Sequence, residues 1–282
     1  RKLYYQVETL IFGNAMFRAL CPERFIIGSN DSLDNLPDPI NIFLKSFNCP
    51  ILIMGYESAE LSKIAINCYL ASTLSITNTL SEISDSLGGK WNEIIPTLQL
   101  DKRIGEFAYL KPGLGISGGN IERDLATIQS IGFKNNANVK CIESIIDLSK
   151  YSKQWLYRNI KEHIEKNSNL KIALLGLAYK ENTNSIKNSP SIELLKKIKN
   201  FSIKVYDPLV KDINIKGVII CNSAEEAMQN ADILVIATPW QEFKKLGVSI
   251  IRDQMKGNII IDPYKILNEN EDVSMWGEGN LM

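Results

Sequence analysis

Lys171-Ile-Ala-Leu-Leu-Gly-Leu177 is a short apolar run broken only by a glycine, and its reading decides the fold of the last third of the chain. Three more runs share its character: Ser202-Ile-Lys-Val-Tyr206, Asp232-Ile-Leu-Val-Ile-Ala237 and Asn258-Ile-Ile-Ile261. Each is too short for an ordinary helix and is bounded by turn residues or helical stretches. Residues 191–199 and 223–229 carry helical patterns between them. Apolar strands alternating with helices of this length predict a parallel sheet covered on both faces. Ser189-Pro190 reads as a helix cap followed by a proline in the first turn. The tail beyond Asn268 is polar and is expected to be loosely held.

Working outward, residues 143–166 hold neither proline nor glycine and predict one long helix. Ile145, Leu148, Trp155, Leu156, Ile160 and Ile164 give it a broad apolar face, and Asn167-Ser-Asn169 ends it. Further upstream, Ser58 is placed to cap another long helix. Ile64, Leu74, Ile76, Leu80, Ile83 and Leu87 recur along it mostly three or four apart, and Gly88-Gly89 stops it. Residues 91–98 and 120–131 predict two shorter helices, so the middle of the chain is almost wholly helical. Before it, residues 20–28 give a turn and a short strand. Residues 31–39 form a polar, proline-bearing connection, and Ile51-Leu-Ile-Met54 is a second short strand.

The bulk numbers describe an ordinary folded protein: 282 residues, 45% apolar and 23% charged. Basic and acidic residues balance at 32 each, so no net field draws nucleic acid or anionic lipid. Cys21, Cys49, Cys68, Cys141 and Cys221 are scattered without C-x-x-C spacing. They predict neither a metal site nor a disulfide framework, and they fit a reducing cytoplasm. His163, in Lys161-Glu-His-Ile-Glu-Lys166, reads as a surface residue of a helix rather than a base. No window approaches 18 uninterrupted apolar residues, which argues against a membrane-spanning helix. The chain opens on Arg1 within an apolar-rich run and is expected to be a piece of a longer one.

Chemistry concentrates in Lys111-Pro-Gly-Leu-Gly-Ile-Ser-Gly-Gly-Asn-Ile-Glu-Arg-Asp124, a glycine-rich turn leading into a helix. Other notable segments are Glu8-Thr-Leu-Ile-Phe-Gly13, Pro22-Glu-Arg-Phe-Ile-Ile-Gly28 and Glu60-Leu-Ser-Lys-Ile-Ala-Ile-Asn67. The last third adds Gly176-Leu-Ala-Tyr-Lys-Glu-Asn-Thr183, Ser185-Ile-Lys187 and Asp262-Pro-Tyr-Lys265.

In this order, these segments resemble the UDP-glucose/GDP-mannose (nucleotide-sugar) 6-dehydrogenase family over nearly the whole chain. The resemblance implies an α/β protein with an all-helical middle. Residues 1–44 would be a remnant of an N-terminal NAD-binding Rossmann domain, 45–168 a helical central dimerisation domain with a long connecting helix, and 169–282 a Rossmann-like domain for the nucleotide sugar. NAD is implied as cofactor, held by an upstream domain, because residues 1–44 supply no glycine-rich dinucleotide loop. A UDP-sugar or related ligand and a homodimer built through the central helices are implied as partners.

The family oxidises a sugar CH2OH to a carboxylate with two NAD molecules, trapping the aldehyde on a cysteine and hydrolysing the thioester. By resemblance Lys63 and Asn67 stabilise and orient the developing oxyanion. Asp124 positions the water, and Glu8 serves thioester hydrolysis. Gly113, Gly115, Gly118, Gly119, Lys180 and Lys265 fall at substrate-binding positions, Arg123 and Lys187 at cofactor-binding ones. Several positions depart from the pattern. Asn120 stands where the family keeps its cysteine, Phe12 and Thr79 replace glutamates, Lys187 stands in the family's Asp-x-Arg, and Tyr264 replaces the arginine of Asp-x-Arg-Asn. A carboxamide cannot form the thiohemiacetal that the second oxidation needs. Lysine beside Tyr264 does not reproduce the bidentate fork of arginine.

Each residue also has a plainer reading. Lys63 and Asn67 are four apart on a helix, as on many solvated faces. Asp124 suits the start of a helix dipole, the glycines suit a turn, and Lys180 suits a solvated loop. Cys68 lies one past Asn67, off its face, and reads as a buried thiol. Two functions follow: a divergent dehydrogenase limited to one hydride transfer per sugar, or a non-catalytic nucleotide-sugar binder or dimeric scaffold.

Overall fold

The computed structural model describes residues 2–11, 13–30 and 35–267; Phe12, residues 31–34 of the connection read at 31–39, and the tail from Asn268 lie outside this description. The chain divides into two compact units, Arg1–Leu70 and Ala71–Met282.

The first unit holds β1 (Tyr5–Gln6), α1 (Ala15–Leu20), β2 (Phe25–Ser29), α2 (Asp38–Lys45) and β3 (Ile51–Gly55). The sheet order is β1-β2-β3, with β1 antiparallel and β3 parallel to β2, Ile26 standing opposite Leu52. Successive strand side chains point to opposite faces. Ile26 therefore joins Val7 and Ala59 in one small core, while Ile27 joins Leu36 and Leu44 in another. α2 begins inside the stretch read as a connection. Pro39 lies in its first turn, where a missing N–H costs nothing, so the residue that reads as a breaker serves as a starter.

β3 runs directly into α3 (Tyr56–Ser86), a helix of 31 residues that crosses the boundary between the units. Ser58 is therefore not its cap but a residue of its first turn, and its carbonyl accepts from Ser62 Oγ at 2.8 Å. Gly88, at φ +75°, and Gly89, whose N–H returns to Ser84 O, end the helix as the sequence predicts.

The second unit continues with α4 (Trp91–Leu100), α5 (Asn120–Lys134), α6 (Lys140–Lys153) and α7 (Trp155–Lys166). The single helix expected over 143–166 is two. At Gln154 the N–H turns back to Tyr151 O in a tight turn, and Arg158 Nη1 also donates to that carbonyl at 2.6 Å. A side chain four residues into the next helix thus shares the carbonyl that closes the turn, at a break with no proline or glycine to announce it.

The remainder is β4 (Lys171–Leu175), α8 (Pro190–Ile198), β5 (Ser202–Tyr206), β6 (Val218–Ile220), α9 (Ala224–Met228), β7 (Ile233–Ile236), a 3-10 turn at Phe243–Lys245, α10 (Val248–Gln254) and β8 (Ile259–Ile261). The five strands are all parallel in the order β6-β5-β4-β7-β8, so the winding reverses between β4 and β7. Residues 172–175 and 233–236 are buried at every position, as a sheet covered on both faces requires. Leu156 and Ile160 of α7, Leu194 and Ile198 of α8, Met228 of α9 and Ile251 of α10 share one continuous core with it. The edge strand β6, three residues long with Ile219 exposed, is not anticipated by the sequence pattern. Ser189 precedes α8 as expected, yet its hydroxyl donates to Leu177 O at 2.8 Å and does not cap the helix. Ser223 does cap α9, accepting from Glu226 N, while Glu226 reaches back to Asn222 N at 2.7 Å.

Candidate functional site

In the second unit the glycine-rich turn is held by acceptors from three elements. Gly113 N donates to Asn78 Oδ1 of α3 at 2.9 Å, and Asn78 Nδ2 donates to Ser152 Oγ of α6. Ile116 N donates to Ser149 Oγ of α6 at 2.9 Å, and Gly118 N to Lys187 O, in the loop after β4, at 3.0 Å. With no regular ladder of its own, the turn satisfies these N–H groups through its neighbours. Leu114 and Ile116 anchor it by burial. Two glycines are demanded here. Gly115, at φ +80°, would place a Cβ 2.5 Å from Ser149 O, and Gly118, at φ +87°, would place one 3.0 Å from the Tyr179 ring. Gly119 lies under the Lys187 side chain, whereas Gly113 has open space about it.

Asn120 is the first residue of α5 and is exposed. Arg123 is exposed too and turns back onto the buried Asp124, with Nε and Nη2 each 3.3 Å from Oδ1. Lys187 stays exposed over Gly119. Lys180 is half-buried beside the Tyr179 ring, and burial holds its ammonium below the usual lysine range, with Glu181 opposing.

The 262–265 segment forms its own turn. Asp262 is buried and accepts from Tyr264 N at 3.1 Å and Leu267 N at 3.0 Å. Burial pushes the Tyr264 phenol well above its usual range; the charge of Asp262 adds to this and the Leu114 backbone opposes it. Tyr264 packs against the core cluster that includes Leu114 of the glycine turn. Lys265, at φ +52°, places Nζ 3.3 Å from Asp85 Oδ1 of α3.

Sequence reading misses a cluster beneath this turn. Lys153 of α6, only 8% exposed, pairs with Glu122 Oε1 of α5 at 2.5 Å, and Asn188 Nδ2 donates to Glu122 Oε2 and, at 2.9 Å, to Gly118 O. A signal was present. Ile145, Ser149 and Lys153 fall four apart on α6, so the lysine continues a buried stripe rather than a solvated one.

In the first unit, Lys63 and Asn67 lie one turn apart on α3, Lys63 half-buried and Asn67 buried. Glu8 is exposed, and its Oε1 accepts from Leu10 N at 2.6 Å. Cys68 is half-buried.

The crevice where the sheet's winding reverses is where open α/β sheets commonly receive a dinucleotide. Here Asp207, 1% exposed at the end of β5, fills it. Its Oδ2 accepts from Leu177 N (2.7 Å), Ala178 N (3.0 Å) and Trp240 Nε1 (3.2 Å), and its Oδ1 from Leu209 N (2.9 Å) and Val210 N (2.8 Å). A carboxylate thus takes the backbone donors that a phosphate would use, and no helix follows β4 until Pro190. At this crevice the Leu177 and Ala178 amides are therefore not free for a dinucleotide's pyrophosphate. Among the described residues, no group of three or more His, Cys, Asp or Glu side chains is placed to hold a metal ion.

Comparison with known proteins matches two family models to the chain. The central domain of the UDP-glucose/GDP-mannose dehydrogenase family covers residues 57–151, and that family's UDP binding domain covers residues 173–269. A UDP-glucose 6-dehydrogenase of Rickettsia felis is 28% identical over 279 residues, 96% of this chain and 62% of that protein. One from Bacillus subtilis is 26% identical over 277 residues, 94% of this chain and 58% of its own. Among solved structures, a UDP-glucose dehydrogenase from Pyrobaculum islandicum superposes with a TM-score of 0.80 at 22% identity, covering 96% of this chain and 62% of that one. A UDP-D-ManNAc dehydrogenase from Pyrococcus horikoshii gives 0.78 at 23%, covering 94% and 61%. These superpositions carry the fold. The chain spans under two thirds of the length of each of these relatives.

Proposed function

Because the chain belongs to the UDP-glucose/GDP-mannose dehydrogenase family, we propose that it binds a nucleotide sugar and that the family's cysteine-dependent second oxidation is absent from it. The observation that carries this is Asn120: a carboxamide exposed at the first position of α5, at the mouth of an otherwise braced glycine turn. Its amide nitrogen is delocalised into the carbonyl and cannot add to an aldehyde as a thiolate does. Neither cysteine of the second unit stands in for it. Cys141 lies twelve residues before Lys153, about 18 Å along α6, and Cys221 is buried, its thiol pushed up by that burial.

Under this reading the glycine turn, Lys180 and Lys265 bind the ligand, and Arg123 and Lys187 stand on the cofactor side. Asp124 keeps its water-holding role, Lys63 and Asn67 their oxyanion-stabilising roles, and Glu8 is left without a thioester to hydrolyse. Residues 45–168 form the central domain and 169–282 the nucleotide-sugar domain. NAD is the acceptor proposed for the whole protein. Residues 1–44 supply no glycine-rich dinucleotide loop for it, so no step is derived through it, and any oxidation stops at the carbonyl level. A homodimer through the central helices is supported by the apolar, exposed stripe Ile76, Leu80, Ile83 and Leu87 on and just beyond α3. A reducing, cytoplasmic setting is supported by the scatter of the five cysteines, none of which stands in C-x-x-C spacing with another. Among the described residues no helix is long and apolar enough to cross a membrane.

Calorimetric titration with UDP-glucose, UDP-N-acetylmannosamine and GDP-mannose tests the binding. Absence of heat with all three would remove it. The chemical part is tested with Asn120→Cys. A thiol at a helix N-terminus is activated, so iodoacetamide labels it readily and a bound nucleotide sugar protects it. Wild-type protein incubated with sugar nucleotide and NAD keeps its unmodified intact mass; a substrate-derived thioester on any of its cysteines would refute the proposal.

A further inference from the structure

We propose that Glu122, Lys153 and Asn188 form a latch that fixes the loop of residues 176–189 onto the glycine turn, with Glu122 as its central positioning residue. The three side chains come from three separate segments: α5, α6 and the loop itself. Both oxygens of one carboxylate are used, Oε1 by the Lys153 ammonium and Oε2 by the Asn188 amide. Asn188 Nδ2 also donates to Gly118 O, and Gly118 N in turn donates to Lys187 O at 3.0 Å. Gly118 is therefore held on both its carbonyl and its amide by adjacent residues of the loop. The Tyr179 ring closes over its α-carbon, and Tyr179 N is bonded to Ser185 O within the loop.

The ends of the loop are pinned at Leu177 and Ala178 by Asp207 and at Ser189 by Leu177 O, but between them the positions contain no helix or strand to keep the loop in place without the latch. The loop carries Lys180 and Lys187, and the turn leads into Asn120. Fixing one against the other presets how far these cations stand from the start of α5 before any ligand arrives. Preorganisation of this kind removes an ordering cost from binding. Lys153 is buried and cannot exchange its partner for water, so losing the carboxylate leaves an ammonium in search of an acceptor. That makes Glu122, rather than the more exposed Asn188, the member whose loss is felt most.

Amide hydrogen exchange resolved to Gly118 and Tyr179 tests the latch directly. Glu122→Gln keeps the shape but replaces one acceptor oxygen with a donor that faces Asn188. Both amides are expected to exchange about tenfold faster, the effect of losing one charge-assisted hydrogen bond, while the amides of β4 and β7 keep wild-type protection. Glu122→Asp, which retains the charge on a shorter stem, is expected to recover part of the protection. Asn188→Gly suits the φ of +53° and removes only the side chain, so it should show the same local effect if Glu122→Gln fails to fold. Unchanged Gly118 and Tyr179 amides in both variants, or equal loss across the whole sheet, would overturn the proposal. Nucleotide-sugar affinity is a second readout that rests on the function proposed above: about tenfold weaker binding is expected in Glu122→Gln. If the wild-type protein binds none, that function fails, and the exchange data still decide the latch.

Discussion

At the scale of the residue, Gly176 shows how a single backbone angle carries a site. It sits at φ +94° where β4 ends, and a Cβ there would lie 2.5 Å from that of Thr238 and 2.7 Å from its backbone nitrogen. Gly176→Ala should lower stability by about 2 kcal/mol or more, read as the shift of a urea midpoint, because neither the angle nor the neighbour can yield. Asp262 makes a pH-dependent case. Burial raises its carboxyl above the ordinary 3.8, and backbone N–H groups led by Leu267 and Tyr264 offset this only in part. The folded state then holds the proton more tightly than the unfolded one. Between the two values stability falls as pH rises. Urea midpoints from about pH 4 to about pH 7 should show the wild type losing ground to Asp262→Asn, which does not titrate; a constant gap would contradict this.

Glycines at turns and the motif around Asn120 were legible at this scale because each has a local signature. Glu122 and Asn188 were not, since a glutamate in a first turn and an asparagine in a loop look solvated until the fold brings α6 beneath them.

Among the elements, the strands were read most accurately. Residues 202–206 form β5 with the bounds expected, and 233–236 lie within the run chosen for β7. Continuous apolar runs between turns leave few alternatives. The helix expected over 143–166 is divided at Gln154, where the N–H turns back to Tyr151 O, a break that no local composition reveals. The short edge strand β6 escaped for the opposite reason: three residues, one of them exposed, make too little pattern. The element with most at stake is the junction at the end of β4. Asp207→Ala would strip acceptors from four backbone amides and the Trp240 indole at once. A loss of about 3 kcal/mol or more is expected in denaturant unfolding, since buried donors without partners are costly. A change below about 1 kcal/mol would mean that water replaces the carboxylate, as at ordinary exposed sites.

Taken as a whole molecule, the chain was legible in its architecture and less so in its site. The alternation of strands and helices in the last third and the helical middle needed only periodicity, and both are present in the structure. The stripe of Ile76, Leu80, Ile83 and Leu87 has a consequence for assembly. Four large apolar side chains at helical spacing, each at least 40% exposed, favour association with a matching face. Leu80→Asp combined with Ile83→Asp should convert a dimer to a monomer in sedimentation equilibrium while preserving the circular dichroism of the fold. A wild-type protein that sediments as a monomer at micromolar concentration would dismiss the dimer.

The carboxylate of Asp207 is tethered to the polypeptide and never leaves. Free pyrophosphate or ADP seeking those same amides must compete with an occupant whose effective concentration is fixed by covalent connection, at the millimolar scale or above. Occupancy of the Leu177 and Ala178 amides by a carboxylate therefore follows from chain connectivity and requires no added ion. A soluble phosphate added in excess should leave the protection of the Leu177 and Ala178 amides as it was.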